Sequence, residues 1–591
     1  MTRRLGIALI ATSMVALAIA SCHRSRETRD VILVTIDTLR ADALGRGRTP
    51  FLDSLAARGV VFTHAHAHNV VTLPSHTNIL TGLYPWQHGV RDNAGFTLDA
   101  KHPTIAALLH DAGFATGAFV SAYPLDSRFR LDRGFDVYDD HYRSASGALD
   151  FAVQERPGAE TLAAARAWWD GVAGRKRFLW VHLYEPHAPY LPPSPFRERE
   201  RAQPYYGEVA AADAALAAVL GPMLDASPDA LLVVTGDHGE SLGEHGEQTH
   251  GLFAYEATLA VPLIVVDPRE KHRVDARWVR HIDIAPTIAE KTGIARRADW
   301  KGASLFAQDA RGYTYFESLS ASLNRGWAPL VGALDEGRKL IELPIPELYD
   351  LPSDPHEAKN RYADERRSVA ALRKMLKEDA PSTSAAGRQS IDQEEHATLL
   401  SLGYLSGAQT KTSYTAADDP KNLVGLDNQL HEAIAAYQMG KLDRAIEHAR
   451  ALLAARPDMQ IAQELLAFFL AENDKPADAI AVLERRVAEG RANDAIRIRL
   501  GLLLSESGRA REALALLRPF ADHDDPDLLN AYGIALADNG DLAGAVREFQ
   551  RILAEDPDNA RAHQNLGIVA LRAGDVERAR ASPRKALALN P

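Results

Sequence analysis

A chain of 591 residues is too long for one hydrophobic core and predicts two or three domains. Its 46% apolar and 25% charged content excludes a disordered, collagenous or multi-span membrane protein, and a net charge of -12 argues against a nucleic-acid surface. A single cysteine excludes an internal disulfide or a thiolate cluster, so any metal must be held by Asp, Glu, His, Asn or hydroxyl groups.

The chain opens with MTRR and then the apolar run LGIALIATSMVALAIAS, which is too short and too near the terminus for a stable span. It ends in Ile19-Ala20-Ser21-Cys22, which resembles a bacterial lipobox. That resemblance implies removal of residues 1–21, lipidation of Cys22 and attachment to a membrane of the bacterial cell envelope, outside the cytoplasm. A plain secretory signal or an uncleaved anchor is the alternative, and either one also places the bulk outside the cytoplasm.

From about residue 30 to 300, short apolar runs alternate with helical stretches, the pattern of a mostly parallel α/β sheet flanked by helices. VILVTI (31–36), FLWVHLY (178–184), ALLVVTG (230–236) and VPLIVVD (261–267) are rich in β-branched residues and suit strands buried on both faces. The first three run directly into Asp37-Thr38, Glu185-Pro186-His187 and Asp237-His238. Ligands of open α/β sheets bind at the carboxyl ends of strands, so the three polar clusters predict one site built from distant sequence. Residues 28–378 form the predicted catalytic domain, with 300–375 as a small companion subdomain.

Residues 379–425 are rich in Ser, Thr, Ala and Asp and read as a linker, with HATLLSLGYL as a short docked helix inside it. From 426 to 591 the chain is periodic. Ala445, Ala479, Ala513, Ala545 and Ala579 recur in register with Gly440, Asp474, Gly508, Gly540 and Gly574. A period of about 34 residues with a turn glycine, a packing alanine and a terminal proline matches the tetratricopeptide helix–turn–helix repeat, about five copies forming an all-α solenoid. Such an array offers a groove for a protein or peptide partner, or acts as a spacer. Pro583 stands where neighbouring repeats carry an apolar packing residue, which predicts a kinked or frayed final helix.

A lone aspartate at a strand end can simply cap the next helix. The reading changes with Thr72-Leu73-Pro74-Ser75-His76 and its continuation to Thr81-Gly82, which resemble the signature of the sulfatase family of the alkaline-phosphatase superfamily. VILVTIDTLRADALG, TGDHGESLGEHG, HIDIAPTIAEKTG and ELYDLPSDPHEAKN resemble further family segments, so the likeness covers roughly residues 30–360. The resemblance implies a metal-dependent hydrolase of sulfuric or phosphoric esters. By position it assigns Asp37, Asp237 and His238 as metal ligands, with Thr38 where relatives often carry another aspartate, and Thr72 as nucleophile and ligand. It further implies that Asn93 and His250 contact the transferred group and that His187 protonates the leaving oxygen.

Two departures bear on the chemistry. Threonine at 72 carries a β-methyl group and cannot give the formylglycine aldehyde that sulfatases make from Cys or Ser, so no formylglycine is expected. A covalent ester on Thr72 must be opened by water or another acceptor, which makes a phosphate ester at least as good a candidate substrate as a sulfate ester. The cation is expected to be Ca, Mn or Zn, with imidazole favouring Zn or Mn. Glu185, His187 and His250 are a candidate second metal set. His64, His66 and His68 alternate and would share a strand face, but ordinary hydrogen bonding accounts for them. His76, in place of the signature arginine, either bonds to the site or caps locally. Tyr190 and Trp86 read as packing or pocket-wall residues. Two other functions compete with hydrolysis: phosphotransfer to a lipid or glycan, and an inactive scaffold lipoprotein.

Overall fold

In the computed structural model the described residues are 30–141, 155–307, 312–379, 388, 411 and 413–589, apart from 458, 491, 524 and 558. The signal segment, Cys22 and the HATLLSLGYL stretch lie outside them.

The catalytic domain is built on an eight-stranded sheet in the order β4-β3-β5-β1-β6-β7-β2-β8. Its strands are β1 (Asp30–Ile36), β2 (Val60–His66), β3 (Ala115–Phe119), β4 (Val137–Asp139), β5 (Arg177–Leu183), β6 (Leu231–Gly236), β7 (Ala260–Val266) and β8 (Arg273–Arg280). β1 pairs in parallel with both β5 and β6, and only β7 runs antiparallel to its neighbours. Every residue of β1, β5 and β6 is buried, as strands covered on both faces by helices must be. The register pairs Ile36 with Leu183 and with Gly236, so the residues that follow these three strands emerge side by side.

A second, antiparallel sheet of four strands follows: β9 (Thr314–Ser318), β10 (Leu330–Asp335), β11 (Arg338–Glu342) and β12 (Glu347–Asp350). The helix Arg366–Asp379 covers it through Val369, Leu372 and Leu376.

Residues 413–423, read from sequence as linker, are bonded to this subdomain. Asp418 O accepts from Ala328 N at 2.9 Å, Asp419 Oδ2 accepts from Ile345 N at 2.7 Å, and Lys421 Nζ donates to Ile345 O at 2.6 Å. The same short Asp side chains that suggested a loop are good acceptors for backbone N–H groups, and here they fasten it.

Five helix pairs then run from Val424–Gln438 with Leu442–Ala455 to Ala560–Arg572 with Val576–Leu589. Ala445, Ala479, Ala513 and Ala545 are fully buried between paired helices. Gly440, Gly508, Gly540 and Gly574 have φ between 70° and 89°, the left-handed turn the spacing called for, and Asp474 takes the same conformation at φ 53°. Pro583 does not end the last helix, which is assigned continuously over Val576–Leu589.

Candidate active site

β1 and β6 each end one residue before a carboxylate. Asp37 N donates to Leu183 O at 2.9 Å and Asp237 N to Ile36 O at 3.3 Å, which continues the sheet ladder into the site. Gly236 makes the close turn: a Cβ there would sit 2.6 Å from Leu39 O. The ligand atoms of Asp37, Asp237 and His238 all lie within 4.8 Å of one another, and all three residues are fully buried. Asp37 Oδ1, Asp237 Oδ2 and His238 Nε2 have no hydrogen-bond partner. Three buried, converging acceptors without donors are costly unless a cation fills the space between them, so the residues present fit a divalent metal. Burial, and then the charge of Asp37, push Asp237 well above the ordinary carboxylate range.

Thr38 lies beside this cluster in the left-handed region at φ 51°. Its N–H donates to Asp237 Oδ1 at 3.1 Å, its carbonyl accepts from Tyr205 Oη at 2.8 Å, and its hydroxyl donates to Pro186 O. The residue expected as a ligand thus spends its hydroxyl proton on a neighbouring loop and orients Asp237 through its backbone. Holding a non-glycine residue in this conformation costs about 1–2 kcal/mol, which those bonds offset.

Thr72 is the first residue of the helix Thr72–Thr81, fully buried, and its Oγ1 donates to Asp37 Oδ2 at 3.3 Å. The positive end of the helix dipole favours an oxyanion at that position. Asn93 Oδ1 accepts from Leu73 N at 2.7 Å, while its Nδ2 is buried with no partner, a donor left over for a ligand. His76 bonds at both ring nitrogens, to Thr72 O at 2.8 Å and Thr35 Oγ1 at 2.9 Å, and burial holds it neutral. It therefore ties the helix Thr72–Thr81 to β1 and, being neutral, brings no charge to the position where the signature has an arginine.

His187 and His250 close the other side, with ring centroids 5.2 Å apart, and His250 lies 4.6 Å from His238 by the same measure. His187 Nδ1 donates to Ala188 O at 2.7 Å, so Nε2, 3.4 Å from Tyr184 Oη, is an acceptor. Burial pushes His187 and His250 each down to about 4. His250 Nδ1 lies 3.0 Å from Glu240 Oε1, and burial raises Glu240 well above its usual range. Glu185 does not join this group: both its carboxylate oxygens accept from Gly158 N, at 3.0 and 3.2 Å. The second metal set suggested by sequence is therefore not assembled, because its only carboxylate is taken up in fixing the start of the helix Gly158–Gly171.

The remaining histidines take the ordinary roles. His64 and His66 stack on Trp278, His66 lies 3.0 Å from Glu256, and His68 lies 2.5 Å from Tyr315 O. Trp86 stacks on Tyr84, and Tyr190 packs edge-on against Tyr205. Sequence reasoning missed His182, whose Nε2 is 3.4 Å from Asp37 Oδ2, and Glu240 behind His250. A histidine inside the otherwise apolar run FLWVHLY was the available signal for the first. Glu240, two residues past His238, had none beyond its motif.

Comparison with known proteins gives the following. Residues 29–294 match the sulfatase family, residues 243–384 the C-terminal region of N-sulphoglucosamine sulphohydrolase, and residues 430–494, 498–560 and 533–591 tetratricopeptide repeats. The chain is 23% identical to the multifunctional alkaline phosphatase superfamily protein PehA of Trinickia caryophylli, over 57% of this chain and 91% of that one. It is 25% identical to the uncharacterized sulfatase YidJ of Escherichia coli K12, over 54% and 80% of the respective chains. Among solved structures it resembles Ps i-CgsB in complex with k-i-k-neocarrahexaose, with a TM-score of 0.53 and 17% identity, over 63% of this chain and 97% of that chain.

Proposed function

Since residues 29–294 belong to the sulfatase family of the alkaline-phosphatase-like superfamily, we propose that this chain is a metal-dependent ester hydrolase that uses unmodified Thr72 as its nucleophile. The observation that carries the reading is the Thr72 hydroxyl, 3.3 Å from Asp37 at a helix N-terminus, beside the unpartnered acceptors of Asp37, Asp237 and His238. Those three residues would hold a divalent cation. When bound, it would supply Lewis acidity that lowers the proton affinity of a hydroxyl and neutralises oxyanions; the mixed O/N donor set suits zinc or manganese.

The chain's own residues account for the rest. Asp37 Oδ2 accepts the Thr72 hydroxyl proton as Oγ1 attacks the sulfur or phosphorus, and the alkoxide departs. Asn93 Nδ2 donates to an oxygen of the transferred group. Glu240, kept protonated by burial, donates to His250 Nδ1 and leaves its Nε2–H as a neutral donor where relatives place a lysine. That hydrogen goes to the leaving oxygen, and the Glu240 proton follows onto Nδ1. His187, whose Nδ1–H is spent on Ala188 O, has no Nε2 proton to give the leaving oxygen as the family resemblance implied; its Nε2 instead takes a proton from the water that then opens the Thr72 ester.

Because threonine excludes the elimination route, phosphoryl esters are favoured over sulfuryl esters, in line with the alkaline phosphatase superfamily name of the Trinickia relative. The test is turnover of paired aryl sulfate, phosphate monoester and phosphate diester substrates by metal-reconstituted protein, beside Thr72→Ala. Phosphate-ester cleavage abolished by Thr72→Ala is the expected result. Cleavage of sulfate esters alone overturns the phosphate preference, and undiminished turnover in the variant overturns the nucleophile. The proposal includes envelope attachment through Cys22, tested by mass spectrometry of the mature N-terminus.

A further inference from the structure

The cleft above His187 and His250 is not made by the catalytic domain alone. A cavity of about 470 Å³ is bounded on one side by His187, Thr249 and His250 and on the other by Asn428, His431 and Gln438, which lie on the first repeat helix, Val424–Gln438. This helix is fixed in place. Asp427 is fully buried and pairs with Arg325 at 2.5 Å, and between them Arg325 and His431 hold its carboxyl down at about 2 although burial alone would raise it. Asn428 Nδ2 donates to Gly246 O at 2.7 Å and its Oδ1 accepts from Gln248 N at 3.3 Å, both on the loop that carries His250. One apolar cluster runs unbroken from Val233 of β6 through Leu423, Leu430 and Ala433 into the later repeats. The contact is therefore a shared apolar core with polar bonds around it.

We propose that the first repeat helix is the specificity wall of the active site, with His431 and Gln438 contacting the alcohol portion of the ester, and that the preferred alcohol is compact and hydroxylated. This rests on the hydrolase reading above. His431 lines the same cavity as His187 and His250, so it shares the space in which the leaving group must lie. Its Nδ1 faces Asp427, 3.3 Å from the carboxylate and 3.1 Å from the backbone oxygen, which fixes the ring's orientation. Thr249 and Gln438 carry neutral groups of the kind that both donate and accept, the match for hydroxyls. Ile434 and Ala435 add a small apolar ledge for C–H faces. The catalytic domain supplies the group-transfer machinery, and the repeats decide which alcohol may leave.

The test compares the full chain with His431→Ala and Gln438→Ala on glucose 6-phosphate and p-nitrophenyl phosphate, repeated with the matching sulfates. The expected result is at least a tenfold fall in the ratio of kcat/KM for the glucose ester over the aryl ester in each variant, carried mainly by KM. A ratio that moves less than twofold in both variants overturns the proposal while leaving the hydrolase reading intact. If the unaltered chain turns over neither ester, the hydrolase reading has failed. The wall is then judged by calorimetric binding of the same glucose esters: tenfold weaker binding in the variants supports it, and equal affinity or no binding to the unaltered chain overturns it.

Discussion

Asp237→Asn should stabilise the metal-free protein while removing its response to metal. Asp237 Oδ1 accepts from Thr38 N at 3.1 Å and His238 N at 2.8 Å, and an asparagine oxygen keeps both bonds. Its Oδ2 has no partner and lies 3.5 Å from His238 Nε2, so an amide there turns an unsatisfied acceptor into a donor facing one. The carboxylates of Asp37 and Asp237 come within 4.8 Å, which at an effective dielectric of about 20 puts their repulsion at no less than about 3.5 kcal/mol when both are charged. Because Asp237 is pushed up and escapes part of this by holding a proton, a gain of about 1–3 kcal/mol is expected. A cation at a hundred times its Kd should add about 2.7 kcal/mol to the unaltered chain and less than about 1 kcal/mol to the variant. All seven tryptophans lie between positions 86 and 327, so urea unfolding followed by tryptophan fluorescence reads the catalytic domain without the repeats. Measurements with EDTA and with Mn or Zn complete the comparison. A variant less stable than the unaltered chain in EDTA, with no metal response in either, would refute the reasoning and make the cluster a structural network.

Arg325→Met should strip the buried Asp427 of its guanidinium partner, leaving only His431 beside it, and weaken repeat docking by about 3–5 kcal/mol, read as lost hydrogen-exchange protection over 424–438. Adding Asp427→Asn should restore part of it. Asp427 is depressed from its ordinary value of 3.8 to about 2, so its contribution is complete above pH 4 and lost as the pH falls through 2. Exchange protection of the first repeat helix should accordingly drop over that acid window. Asn93→Ala should lower kcat by about 10²–10³, since its unpartnered Nδ2 is the donor lost, and Leu73 N loses its acceptor as well. Glu240→Gln keeps a donor to His250 Nδ1 but cannot pass its proton on, so kcat in steady-state assays should fall by about 10²–10⁴ with the fold retained.

Residues 31–36 and 230–236 announced buried parallel strands because only strands covered on both faces tolerate unbroken β-branched runs. The solenoid was equally legible, since a turn that needs positive φ and a helix contact that needs a small side chain repeat wherever the unit repeats. Asp37, Thr72, Asp237 and His238 could be named from motifs because each sits at the end of a short local element whose residues specify it. The sequence did not show what those residues do with their remaining bonds. Thr38 turning its hydroxyl to Pro186, Glu185 turning to Gly158, and His182 reaching Asp37 depend on neighbours 148, 27 and 145 positions away. Nor could any local pattern place His431 across one cavity from His187 and His250. That was decided by the buried Arg325–Asp427 pair and the continuous apolar core, contacts between segments that chain separation keeps invisible until the fold brings them together.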